Sequence, residues 1–130
     1  MALARIAVDR RVCFAGKCRL DLSLRRFGNE LVVPQVGWNR IHQKREHALF
    51  GGVEDHSFCY FVHSFYCQPS DEEVVVGETE YGQRYASVVA RGNICGVQFH
   101  PEKSQTVGQK LLSNFARRVR FDVWDDWAPC

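Results

Sequence analysis

The chain has 130 residues, 45% of them apolar and 25% charged, which suits one compact domain and leaves no room for two. A net charge of +2 is too mild to mark a nucleic-acid surface, and the apolar runs are too short and interrupted to span a bilayer. The first ten residues hold no uninterrupted apolar region, so no secretory signal is read there and a cytoplasmic location with reduced thiols is expected. The six cysteines include no Cys-x-x-Cys pair, which argues against structural zinc; neither a metal nor a cofactor is expected.

Residues 1–30 are rich in arginine and weak in periodicity. Within them Leu20, Leu22 and Leu24 alternate with Asp21 and Ser23, the pattern of an exposed strand or hairpin arm. Gly28-Asn29 signals a turn, and Leu31-Val32-Val33 reads as a short strand closed by Pro34. Residues 43–50 suit one or two helical turns ending at Gly51-Gly52. Residues 57–65, dense in aromatics, read as a buried strand, and 68–71 as a turn. Residues 73–80, 84–90 and 93–99 read as three further strands, with tight connections at Tyr81-Gly82 and Arg91-Gly92-Asn93. Residues 104–119 are amphipathic, with Val107, Leu111, Leu112 and Phe115 on or near one face. Arg117, Arg118 and Arg120 would then sit at the negative end of that helix dipole. Residues 120–130, with Trp124 and Trp127 among aspartates, form a tail. Strands followed by one long helix indicate α/β or α+β.

The segment that carries chemistry is His100-Pro101-Glu102, between the strand that ends at Phe99 and the helix that starts near Ser104. A histidine at the C-terminal end of a buried strand stands where α/β sheets present catalytic groups. Pro101 forces the chain to turn, and Glu102 can swing its carboxylate back to the imidazole. A base oriented by a carboxylate is the recurrent device for activating a thiol or hydroxyl, but His-x-Glu alone is a weak signal.

The surrounding residues strengthen it. Gly96-Val97-Gln98-Phe99-His100-Pro101-Glu102-Lys103-Ser104, followed by Gly108, Leu111, Leu112 and Asn114-Phe115, resembles the closing segment of class I (triad) glutamine amidotransferases. Val33-Pro34-Gln35-Val36-Gly37-Trp38-Asn39 and Phe61-Val62-His63-Ser64-Phe65 narrow the resemblance to glutaminase subunits of imidazole glycerol phosphate synthase, across residues 28–115. The resemblance implies the C-terminal part of an α/β, flavodoxin-like fold, mostly strands and one long C-terminal helix, with the N-terminal half of the parallel sheet missing. Residues 1–130 would be a single truncated domain: a divergent lead-in to residue 30, a family core over 31–119 and the tail. It further implies His100 as general base, Glu102 as its orienting carboxylate, and Ser64 and Phe65 as positions whose backbone holds the amino-acid end of L-glutamine. Trp38, Asn39 and Lys103 match a surface facing a cyclase subunit. Gln35 and Phe65 stand where the family pattern has histidine and usually tyrosine.

The family nucleophile, a Gly-x-Cys-x-Gly-x-Gln elbow, is not found in these residues, nor is the oxyanion-forming Pro-Gly-x-Gly loop. The nearest imitation, Arg11-Val12-Cys13-Phe14-Ala15-Gly16, lacks both required glycines and stands too close to Trp38. Cys13 and Cys18 are therefore read as ordinary thiols, and Cys59, Cys67 and Cys95 as packing residues. Ser64 is a weaker candidate nucleophile. His63 is read as structural or pocket-lining, His42 and His47 as solvated, and Tyr81-Gly82 as turn residues packing on the sheet. Two functions stay open: a glutaminase subunit supplying ammonia for histidine biosynthesis, inactive without its nucleophile, or a non-catalytic interaction module or gene fragment. Open strand edges left by the missing half favour a partner or a homodimer.

Overall fold

In the hairpin that organises the sheet, odd-numbered side chains point inward and even-numbered ones outward. The hairpin pairs strand β5 (Gln35–Gln43) with strand β6 (Ser57–His63), antiparallel, in the register Gln35↔His63, Trp38↔Tyr60 and Ile41↔Ser57. Ile41, Cys59, Phe61 and His63 are buried on the inner face, while Val36, Trp38, Phe58 and Val62 are exposed on the other. The structure, a computed structural model, describes residues 4–5, 13–15, 18–92 and 94–121.

Among the described residues, short strands β1 (Ala4–Arg5), β2 (Cys13–Ala15), β3 (Cys18–Leu20) and β4 (Leu22–Arg26) precede the hairpin. Strands β7 (Phe65–Pro69), β8 (Val75–Glu80), β9 (Arg84–Arg91) and β10 (Ile94–Val97) follow it, and helix α1 (Gln105–Phe121) closes the described chain. The main sheet runs β1-β10-β9-β8-β5-β6, with β7 joined to β9 and β4 to β7; β2 and β3 form a separate two-stranded sheet. Its pairings are antiparallel except for β1 against β10, Ala4↔Gly96 and Arg5↔Val97. The architecture is thus α/β with a mostly antiparallel sheet and one C-terminal helix.

Phe61, Phe99 and Leu111 are fully buried and join β6, the segment after β10 and α1 in one core. Each such side chain contributes about 1.5–3 kcal/mol through burial. Helix α1 buries Gly108, Leu111 and Phe115, whereas Leu112 is exposed, contrary to the sequence pattern. Spacings of three, four and seven place the first three on one stripe, and Leu112 lies about 100° round from Leu111.

Three other expectations are corrected. Residues 31–33 form no strand; the strand starts beyond Pro34, at Gln35, and Leu31 and Val33 pack on the core from an irregular segment. The helical turns expected over 43–50 shrink to a 3₁₀ turn, Ala48–Phe50, because β5 runs on to Gln43. The aromatic strand ends at His63 and a new one begins at Phe65, with a bend at Ser64 between them. The tail beyond residue 121 lies outside the described residues.

Candidate active site

Val97 ends β10, Phe99 is buried, and the chain then turns through the short 3₁₀ segment Pro101–Lys103. Pro101 has no N–H to offer a strand, and its fixed φ suits the first position of a helical turn. The turn is held by its own backbone. Lys103 N–H donates to the His100 carbonyl at 3.0 Å, and Ser104 N–H donates to the Pro101 carbonyl at 3.1 Å. The Ser104 hydroxyl donates to the His100 carbonyl at 2.6 Å and accepts the Tyr60 N–H at 3.0 Å. The His100 N–H donates to the Tyr60 carbonyl at 2.9 Å, so the turn is fastened to β6 from both sides of one residue.

Gly108 is needed here for close approach: a Cβ at this position would lie 1.8 Å from the Pro101 carbonyl oxygen. Its absence lets the first turn of α1 rest directly on the His100 turn. Gln105, which opens the helix, has φ +52°, a conformation costly for a residue with a side chain, and it redirects the chain into α1.

His100 and Glu102 are brought together as expected. Nδ1 of the imidazole lies 2.8 Å from Oε1 of Glu102. An ionised carboxylate only accepts, so Nδ1 carries the proton and Nε2 is the basic nitrogen of the neutral ring. The imidazole is 8% exposed and the Glu102 side chain 56%, so a dry imidazole is oriented by a wet carboxylate. Tyr60 stands edge-on to the imidazole, with ring centroids 6.4 Å apart, and edge-on to Trp38 at 5.8 Å.

Of the other predicted positions, Trp38 and Asn39 lie at the middle of β5, Lys103 in the 3₁₀ turn, and Ser64 and Phe65 just past the end of β6. Trp38 and Lys103 are exposed, and Trp38 borders a shallow depression with Phe58 and the first residues of α1. Gly37, just before Trp38, has φ +131°, which a side chain would resist. Asn39 is half-buried, and its amide donates to Gln35 Oε1 at 3.1 Å and to the Glu80 carbonyl at 2.8 Å. Ser64 and Phe65 lie at the far end of β6, where the Ser64 carbonyl accepts from Phe27 N–H at 3.5 Å.

Two groupings escaped the sequence reading. The first is a buried network: Gln35 Nε2 donates to His63 Nε2 at 2.9 Å and to the Tyr85 hydroxyl at 3.0 Å, while His63 Nδ1–H donates to the Phe65 carbonyl at 2.8 Å. Burial lowers the His63 pKa, the Phe65 hydrogen bond opposes that, and the charge of His100 lowers it further. The Tyr85 hydroxyl is raised, also by burial. The second grouping, His42 with Asp55 and His56, is taken up below. His42 is not simply solvated, and His47 Nδ1 accepts from Leu49 N–H at 3.1 Å, capping the 3₁₀ turn. Cys59, Cys67 and Cys95 are buried, and burial pushes the Cys59 thiol up to about 12, far from a thiolate at neutral pH.

The family model of class-I glutamine amidotransferases matches residues 12–119. The chain belongs to the class-I glutamine amidotransferase family. Among curated relatives, the imidazole glycerol phosphate synthase subunit HisH of Moorella thermoacetica is 46% identical over 106 residues, covering 82% of this chain and 50% of the relative. The HisH subunit of Aromatoleum aromaticum is 44% identical over 102 residues, covering 78% and 44% respectively. That of Halobacterium salinarum is 50% identical over 92 residues, covering 69% and 42%. This amidotransferase chain thus spans about half the length of the relatives it matches. Among its described residues, no helix is long and apolar enough to cross a membrane.

Proposed function

We propose that these residues are the base-bearing portion of a glutaminase subunit that releases ammonia from L-glutamine for imidazole glycerol phosphate synthesis in histidine biosynthesis. The observation that carries this reading is the 2.8 Å hydrogen bond from His100 Nδ1 to Glu102, at the strand end where the family resemblance is densest. In the reaction, Nε2 of His100 takes the proton of a cysteine thiol as sulfur attacks the amide carbon of glutamine. The imidazolium, stabilised by Glu102, returns that proton to the departing ammonia. Water, deprotonated by the same nitrogen, then releases glutamate from the thioester. The backbone at Ser64 and Phe65 holds the amino-acid end of glutamine, and Trp38, Asn39 and Lys103 face the cyclase subunit that receives the ammonia.

The attacking cysteine is not supplied by these residues. Cys59 is held protonated in the core, and no Gly-x-Cys-x-Gly-x-Gln elbow occurs in the 130 residues. Base and orienter without a nucleophile give little above background. The test is glutamate release from glutamine by the chain alone, then by the chain combined with the elbow-bearing half of a HisH relative and a cyclase subunit. Turnover only in the combined sample supports the reading. Turnover by the chain alone that disappears in Cys13→Ala would place the nucleophile at Cys13, and no turnover in the combined sample would sink the glutaminase reading.

The exposed ladder Val36, Trp38, Phe58 and Val62 favours a second reading, a non-catalytic docking module. It predicts cyclase binding without turnover, and loss of that binding in Lys103→Ala.

A further inference from the structure

His42 is the penultimate residue of β5, and Asp55-His56 is the turn that leads into β6. This turn is fixed by its backbone. Asp55 Oδ1 accepts the Gln43 N–H at 2.7 Å and the His56 N–H at 2.9 Å, and the His56 N–H also donates to the Ile41 carbonyl at 2.9 Å. With Oδ1 so engaged, Oδ2 faces two imidazoles, 3.3 Å from His42 Nδ1 and 3.5 Å from His56 Nε2. The two rings are stacked with centroids 5.1 Å apart. His42 Nδ1 is buried and makes no hydrogen bond, despite the carboxylate beside it.

Three ligand atoms, one from each residue, lie within 4.8 Å of one another. Donors bound about 2.0 Å from a tetrahedral metal ion are separated by about 3.3 Å, close to both carboxylate–imidazole distances. The hydrogen bonds to Oδ1 are the outer support that metal-binding carboxylates commonly have. They also lower the Asp55 pKa, the Gln43 N–H first, which keeps the carboxylate available. Two imidazoles and one carboxylate select a borderline ion of the zinc type over calcium or magnesium, which prefer oxygen alone. The nearby ammonium of Lys44 is neutralised by Glu72 and Glu78, each at 3.2 Å.

We propose that His42, Asp55 and His56 bind a divalent transition-metal ion of the zinc type, pinning the loop between β5 and β6 to the end of β5. Water completes the coordination, since all three side chains are partly exposed. The site lies apart from the His100 turn and does not depend on the glutaminase reading.

The test is titration of the untagged chain with Co²⁺ at pH 7.5, followed by visible absorption, with Zn²⁺ as competitor. Expected are one equivalent, bands typical of nitrogen and oxygen donors, and displacement by Zn²⁺. His42→Gln and His56→Asn should each weaken binding at least about tenfold. Asparagine tolerates the φ of +62° at position 56, so the second variant keeps the turn, and unchanged near-UV circular dichroism checks the fold of both. No Co²⁺ spectrum, affinity in either variant unchanged from the parent chain, or a sulfur-to-metal charge-transfer band would each overturn the proposal, the last by moving the metal to cysteine.

Discussion

His63 and His100 are both 7% exposed, yet their hydrogen-bond surroundings differ in charge. His63 gives its Nδ1 proton to a backbone carbonyl, and its Nε2 meets the Gln35 amide, with the Tyr85 hydroxyl 3.2 Å away. Only the neutral Phe65 carbonyl favours a positive charge there, burial outweighs it, and the lowered pKa records the cost. His100 gives its Nδ1 proton to a carboxylate, a partner that improves as the ring becomes an imidazolium. Burial alone therefore does not distinguish the two histidines; the charge of the Nδ1 acceptor does.

The largest test of that contrast is His100→Ala in the assembled glutaminase. Glutamate release should fall by about 10⁴-fold or more, while His63→Ala should stay within about tenfold of the parent. Equal losses would erase the distinction. Glu102→Gln should cost about 10²–10⁴-fold in kcat with little change in KM, since the amide leaves the imidazolium uncompensated. Stability should rank the two residues the other way. His63→Ala removes the acceptor of one buried Gln35 amide hydrogen bond, opens space beside Phe27 and Phe61, and should cost about 1–3 kcal/mol in urea unfolding. Gly108→Ala should cost a comparable about 1–3 kcal/mol, by levering α1 off the Pro101 carbonyl.

The smallest effect is on pH dependence. An unfolded histidine titrates near about 6.5. Native His63 titrates lower, so below that pH the unfolded chain holds the extra proton. Stability from this residue is fully present above about 6.5 and is lost as pH falls toward the native value. The slope of unfolding free energy against pH in that window should flatten in His63→Gln.

The His100–Glu102 pair was legible in the sequence because it is local: two residues apart, straddling a proline, at a strand end. The family and the C-terminal helix were legible for related reasons, motif order and amphipathic spacing. The Gln35 network was not, since its partners are 28 and 50 residues apart and meet only once the hairpin register is set. The same register assembles His42 with Asp55 and His56, which as isolated polar residues carry no signal. β5 itself was obscured because Gly37, Asn39 and Arg40 dilute its apolar alternation and the apolar run before Pro34 competes for the strand. Leu112 shows the limit of a helical stripe: composition names the face but not its width.

The fastening of the base turn to Tyr60 also shields an edge. β6 ends the sheet, and the N–H and carbonyl of Tyr60 point away from β5, where another chain could add a strand. The Ser104 hydroxyl and the His100 N–H occupy those two groups instead. The segment that carries His100 is thereby also a plug on the β6 edge. Removing the hydroxyl with Ser104→Ala exposes one side of that plug, and light scattering on warming would register the result as earlier aggregation.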